Sequence, residues 1–187
     1  MYYHEYHQKS QEIITLAKLR YPYLFDGELS DESIEVRYYL LNYLLSKYDY
    51  SWRIEKDEYG KPIPIMTLIW LLYWSVSHSS KSIAFIISDR PTGIDIAEYM
   101  ERDFSVLDIH QLSEYEILLK KDWNNFYYLW TAKESIIKLI WWTLDNIGDI
   151  TLEKRITGTV FEYLYKNKHY WVYSEQINDN FISYITS

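Results

Sequence analysis

The sequence predicts an α+β fold. Amphipathic helical segments and short alternating segments come in blocks: helices, then strands, then helices, then strands again. Apolar residues make up 48% of 187 residues and charged residues 25%, the balance of a folded domain or of two small halves sharing a core. Only five Gly and four Pro occur, and no Gly/Ser linker or low-complexity run divides the chain, so these few residues mark the turns.

The first helix is expected over "DESIEVRYYLLNYLLSKY", Asp31 to Tyr48. Ile34, Tyr38, Leu41 and Leu45 repeat at three and four and form one stripe, with Arg37 at its edge. Ser30 or Asp31 can cap its start. "YGKPIP", Tyr59 to Pro64, is an extended loop, because one Gly and two Pro restrict six residues. A strand then leads into the polar cluster Ser77, His78, Ser79 and Ser80. "KSIAFIISDRPTGIDIA" reads as a hairpin: strand Ser82 to Ile87, turn Ser88 to Pro91, strand Thr92 to Ala97. "LSEYEILLKK" carries a capping box, with Ser113 as N-cap and Glu116 reaching back. The strongest helix is "FYYLWTAKESIIKLIWW". Leu129, Ala132, Ile136 and Ile140 make its core stripe, while Trp130, Glu134 and Lys138 share another face. "TGTVFEYLY", "KHYWVYS" and "FISYIT" alternate as antiparallel strands.

Composition narrows the function. Aromatics reach 19%, mostly Tyr, which packs at a core rim and keeps a polar tip. A net charge of −8 without a dense basic run argues against nucleic acid. With no Cys, disulfides and Cys-based zinc sites are excluded. The start "MYYHEYHQKS" lacks a basic n-region and an apolar h-region, and the apolar run Ile63 to Val76 is shorter than the ~20 residues a membrane span needs. A cytoplasmic protein without a membrane partner is the expectation.

Single features are ambiguous. Asp95, between Ile94 and Ile96, is either an edge-strand solubiliser or a functional carboxylate. Glu134 and Lys138 alone form an ordinary i,i+4 surface pair. His78 among hydroxyls suits a phosphate but is equally an ordinary histidine. Two carboxylates, one on a strand and one on a helix, could meet across a cleft and hold Mg²⁺.

Together, "YGKPIP", "WSVSHSS", "GIDIAEY" and "FYYLWTAKESIIKL" resemble the 4'-phosphopantetheinyl transferase superfamily, in the layout of its surfactin-synthetase-activating, monomeric pseudo-dimer type. The resemblance spans about Asp31 to Leu139. It implies two similar α+β halves, over 1–90 and 91–187, with the active site in the cleft between them. It implies a monomer that moves the phosphopantetheine arm of coenzyme A to a serine of an acyl- or peptidyl-carrier protein, using Mg²⁺ or Mn²⁺.

By the same resemblance, Asp95 and Glu134 are the metal ligands, and Glu134 could itself take the serine proton. Lys138 neutralises pyrophosphate charge. Lys61, Ser77 and His78 hold coenzyme A phosphates, joined by Arg37 on the first helix; Lys18 and Arg20 are weaker basic candidates. Trp130 packs the helix against the site, and Lys133 is either a ligand contact or a surface charge. One departure stands out. Where the monomeric type often carries a carboxylate two residues after the Asp, this chain has Ala97. Glu98 lies one residue later, on the opposite strand face unless a bulge intervenes. Glu114 is a second candidate replacement, and also a good first-turn residue of its helix. The vacancy motivates an alternative reading: a degenerate relative that binds a carrier protein or coenzyme A without turnover.

Overall fold

The computed structural model describes residues 55–58, 60–66, 71–79, 83–141 and 144–187. The expected helix Asp31 to Tyr48, with Arg37, and the basic residues Lys18 and Arg20 lie outside the described residues. Two antiparallel sheets, two α-helices and two short 3-10 helices (Phe104–Ile109 and Leu144–Asp149) make up the described α+β fold. The first sheet has strands β1 (Ile65–Met66), β2 (Leu71–His78) and β3 (Ile83–Ser88), in that order. The second joins β4 (Thr92–Glu98), β5 (Thr151–Arg155), β6 (Val160–Tyr165), β7 (Lys168–Ile177) and β8 (Asn180–Thr186) in the order β4-β8-β7-β6-β5. Helix α1 (Leu112–Ile117) and the long helix α2 (Trp123–Ile140) lie between β4 and β5 in the chain. No helix among the described residues is long and apolar enough to cross a membrane.

The C-terminal runs "VFEYLY", "KHYWVYSEQI" and "NFISYIT" form strands as their alternation requires. Phe161, Tyr163 and Tyr165 of β6, with Val172 of β7 and Phe181 of β8, face the helix layer. Leu129, Ala132 and Ile136 of α2 are wholly buried against them, as the helical stripe predicts, while Ile140 is only half-buried. On the other face of the second sheet, Ile94, Ile96 and Ile182 pack on Ala84 and Ile86 of β3. The second sheet is thus the middle layer, with α2 on one side and the first sheet against its β4–β8 end. Its far edge strand, β5, carries a bulge between Leu152 and Lys154 and ends in the exposed run Glu153, Lys154, Arg155.

The hairpin expected from "SIAFIISDRPTGIDIA" does not form. β3 pairs with β2, from Tyr73↔Ser88 to His78↔Ile83, and the chain then crosses to the other sheet. β4 pairs with β8 along its whole length, from Thr92↔Thr186 to Glu98↔Asn180. Thr92 reinforces the crossing by donating its hydroxyl to the Ile185 carbonyl at 2.7 Å. A turn of Ser, Asp, Arg and Pro is compatible with either path, and the long-range pairing decides it.

β4 is an edge strand, and the serines of β2 cover its open side. Ser75 Oγ accepts the Ile94 N–H at 3.2 Å, and both Ser75 and Ser77 are buried. On its α2 side β4 presents Gly93, Asp95 and Ala97. A Cβ at Gly93 would lie 2.0 Å from the Ser135 carbonyl oxygen and 2.8 Å from the Leu139 nitrogen, both helix backbone. Only glycine permits this contact.

The capping box falls two residues earlier than expected: Gln111, not Ser113, is the N-cap of α1, and Glu114, not Glu116, reaches back to the Gln111 N–H at 2.9 Å. Glu114 is buried and does more. Its Oε1 accepts the Leu152 N–H of β5 at 2.8 Å, and its Oε2 takes the Lys133 ammonium of α2 at 2.9 Å. Both side chains of this pair are 1% exposed. Lys133 is therefore neither a ligand contact nor a surface charge. Burial pulls its pKa down, and the adjacent Glu114 charge and hydrogen bond oppose that shift.

Gly93→Ala should lower folding stability by about 3 kcal/mol, because helix backbone cannot yield as a side chain would; chemical denaturation reads this directly. Glu114→Ala should cost about 3–5 kcal/mol by stranding a buried ammonium, whereas Glu114→Leu with Lys133→Met should recover most of the loss.

Candidate functional site

Helix α2 begins at its Asp122 cap, which accepts the Asn125 N–H at 2.9 Å, and ends at Trp141, whose φ of 53° is left-handed. Glu134 and Lys138 sit one turn apart on its half-buried face, and Gly93 seats this part of the helix directly on β4. The close approach brings Asp95 to them. Lys138 Nζ donates to Asp95 Oδ1 at 2.7 Å, and from the other side Ser77 Oγ donates to the same oxygen at 2.7 Å. Asp95, Glu134, Lys138 and Ser77 are thus brought together from three elements. Ser77, expected to contact a phosphate, donates its hydroxyl to Asp95 in this structure.

The electrostatics of the cluster are uneven. Glu134 is pushed up to about 7, first by burial and then by the Asp95 charge, with Lys138 opposing. A second lysine, Lys56, is held below its ordinary value by burial and by repulsion from Lys138. Lys56 was not visible as a site residue in the sequence. It comes near because the chain folds back: Lys56 bridges to Pro62, and the reversal includes Gly60 at φ 82° and Lys61, whose N–H reaches Asp57 Oδ1 at 2.8 Å. Lys61 is exposed, with its ammonium 5.9 Å from the centre of the Trp141 ring at the end of α2. Lys138 thus stands at the cluster, its charge felt by Lys56, and Lys61 lies at the end of the same helix, in a chain whose net charge is −8. His110, buried among Tyr115, Phe126 and Trp130, adds no charge, because burial pushes it down to about 3.

A cleft of about 380 Å³ is lined by residues next along the same three elements, though not by the four cluster residues themselves. Ala97 and Glu98 of β4, His78 and Ser79 at the end of β2, and Phe126, Tyr127 and Trp130 of α2 line it, with Met100 and Arg102. His78 is exposed at this rim. Trp130 stacks on Phe126, one turn earlier on the same helix, with ring centres 6.0 Å apart. Neither candidate replaces the carboxylate absent at Ala97. The β4–β8 register runs unbroken through Glu98, with no bulge to turn it to the Asp95 face, and Glu114 is committed to Lys133 and the α1 cap. Among the described residues no cluster of three or more acidic or histidine side chains could hold a metal.

The high value of Glu134 has a stability consequence. In the unfolded chain this carboxyl ionises near its ordinary value of 4.5, whereas in the folded protein it ionises only near 7. The folded state is therefore penalised increasingly from pH 4.5 to 7 and fully above 7. In cation-free protein, Glu134→Gln should be about 2 kcal/mol more stable than the parent at pH 8, and the gain should vanish at pH 4.5; thermal unfolding at the two pH values checks it.

The chain is 31% identical over 133 residues to the 4'-phosphopantetheinyl transferase gsp of Aneurinibacillus migulanus, a match covering 67% of this chain and 54% of that protein. It is 34% identical over 102 residues to the 4'-phosphopantetheinyl transferase Sfp of Bacillus subtilis, covering 51% of this chain and 43% of that one. A further Bacillus subtilis protein, the 4'-phosphopantetheinyl transferase ffp, gives 34% over 102 residues, with the same two shares. The chain spans about half the length of the curated relatives it matches. No family model matches it. These relatives are all 4'-phosphopantetheinyl transferases, and at 31% identity over 67% of its length the chain belongs to the 4'-phosphopantetheinyl transferase superfamily.

Proposed function

We propose that this chain transfers the 4'-phosphopantetheine arm of coenzyme A to a serine of an apo acyl- or peptidyl-carrier protein, releasing adenosine 3',5'-bisphosphate. The observation that carries the reading is the convergence of Asp95 and Glu134 beneath Lys138, beside an open cleft. The pair fits a divalent cation, Mg²⁺ or Mn²⁺. The Asp95 charge contributes to the rise in the Glu134 pKa, and both described hydrogen bonds of Asp95 fall on Oδ1, which leaves Oδ2 for a cation. When bound, the cation supplies charge neutralisation at the transferring phosphoryl group.

The chain's own groups do the rest. Ser77 and Lys138 fix the Asp95 carboxylate. Lys138 balances charge as the serine Oγ–P bond forms at the β-phosphorus and the P–O bond to the α-phosphate oxygen breaks. The serine proton passes to Glu134, whose basicity near pH 7 suits it to accept one. Lys61 and His78 take phosphates of the nucleotide, with Arg37 as a further candidate. The cleft that opens at Ala97 receives the pantetheine chain between His78 and the aromatic wall of Phe126, Tyr127 and Trp130. Met100, Ile109 and Leu112 are exposed apolar side chains, and Met100 and Ile109 line that cleft. They form the docking surface for the carrier. A monomer of two similar halves, 1–90 and 91–187, acting in the cytoplasm, belongs to the same proposal.

Incubation with apo-carrier protein, coenzyme A and Mg²⁺, followed by mass spectrometry of the carrier, tests the reading. The carrier should gain one phosphopantetheine. Asp95→Ala and Glu134→Ala should each reduce the rate on the order of 100-fold or more, and a carrier that gains no mass across several pathways would favour the binder without turnover. Ala97→Glu should preserve or raise the rate; a severe loss would mean that β4 does not present position 97 to the site.

A further inference from the structure

A line of hydroxyls runs through the core between α2 and the second sheet. Thr131 of α2, Ser183 of β8 and Ser174 of β7 are each at most 1% exposed. Thr131 Oγ1 lies 2.7 Å from Ser183 Oγ, which lies 2.7 Å from Ser174 Oγ. One further bond fixes the direction of every proton: Thr131 donates to the Tyr127 carbonyl, one turn earlier on the helix, at 2.8 Å. A hydroxyl carries a single proton, so Ser183 donates to Thr131 and Ser174 donates to Ser183. Packing does not call for this line, because alanine and valine fill the same space without a polar group to satisfy. Its place is informative. Ser183 is the strand partner of Asp95 in the β4–β8 register. Thr131 stands three residues before Glu134 on α2. One buried bond thus ties the helix to the sheet beside both carboxylates.

We propose that Thr131 and Ser183 are positioning residues of the candidate site: their buried hydroxyl bond sets the axial and rotational placement of α2 on β8, and so holds Glu134 in register with Asp95 for a shared divalent cation. The assignment rests on the transferase reading above. The contact of Gly93 with the Ser135 carbonyl limits how closely the helix approaches β4, but a steric contact does not stop the helix from sliding or turning. A hydrogen bond is directional and does. Any shift of α2 along β8 would strand the Ser183 proton in an interior without another acceptor on this line, which costs more than sliding one apolar surface over another. Ser174 extends the anchor to a third strand. Such bracing matters for Mg²⁺, which demands near-ideal geometry from its ligands.

Mn²⁺ binding to cation-free protein, read by electron paramagnetic resonance without coenzyme A, tests the assignment alongside steady-state kinetics of carrier modification. Thr131→Val keeps the shape and deletes the acceptor; Ser183→Ala deletes the donor. Each should weaken Mn²⁺ binding and lower kcat about tenfold, with the KM for coenzyme A little changed. Thr131→Ser keeps the hydroxyl and should stay close to the parent in both. The triple variant Thr131→Val, Ser174→Ala and Ser183→Ala leaves no hydroxyl of the line stranded. It should regain the melting temperature lost by the single variants, but neither the Mn²⁺ affinity nor kcat. Parent-like Mn²⁺ affinity and kcat in Thr131→Val would overturn the assignment. So would their return together with stability in the triple variant, which decides the matter if the single variants do not fold. A parent protein that binds no Mn²⁺ would overturn it as well. A parent whose Mn²⁺ affinity depends on Thr131 in this way, yet which leaves carriers unmodified, would sink the transferase reading alone.

Discussion

Everything at this site depends on one backbone contact, that of β4 with α2 at Gly93. A strand and a helix normally meet through their side chains, at a spacing that leaves a short Asp side chain out of reach of the helix. With no Cβ at Gly93, the Ser135 carbonyl occupies that space and the two backbones touch. Asp95, two residues along on the same strand face, then reaches Lys138, and its charge reaches Glu134 on the same helix turn as Ser135. The glycine of the G-I-D triplet therefore sets a distance, and the carboxylates inherit it. The buried Glu114–Lys133 pair supports the opposite side of the helix, linking α2 to α1 and, through the Leu152 N–H, to β5.

What could be read from the sequence follows from the range of the interactions involved. The α2 stripe, the C-terminal strands and the identity of Asp95, Glu134 and Lys138 are set by local periodicity or by contiguous motifs. The path after Ser88 is not: Ser-Asp-Arg-Pro looks like a hairpin loop, and nothing near it reveals that Thr92 will pair with Thr186. Lys133 was legible in principle. It lies four residues after Leu129 and three before Ile136, inside the buried stripe, and a lysine there demands a buried acid. Finding Glu114 as that acid requires the packing of α1 on α2. Lys56 belongs to the same class, because the bridge across Gly60 that places it and the Lys138 charge it feels, 82 residues later, are both invisible in its local sequence.

The charge distribution also reflects a local decision against a global one. For the phosphorylated ligand proposed above, an acidic protein must concentrate attraction where the ligand would sit. Lysines from two elements provide it here, and the elevated pKa of Glu134 adds to it by keeping one of the two carboxylates partly neutral near pH 7. The poorly solvated Glu134 carboxyl destabilises the empty site. Such local strain is characteristic of binding sites whose energetics balance only with the ligand present.

The serines of β2 have a consequence beyond the chemistry. A five-stranded sheet has two open edges, and each invites another strand to add to it. At β5 the bulge and the run Glu153, Lys154, Arg155 discourage such growth with twist and charge. At β4 neither device is available, since the strand must stay regular to aim Asp95. Ser75 instead accepts the outward N–H of Ile94, and Ser77 lies against the edge beside it. The side chain row that orients the carboxylate is thereby also what guards the protein against self-association through this strand, so a loss of these hydroxyls would threaten solubility together with activity.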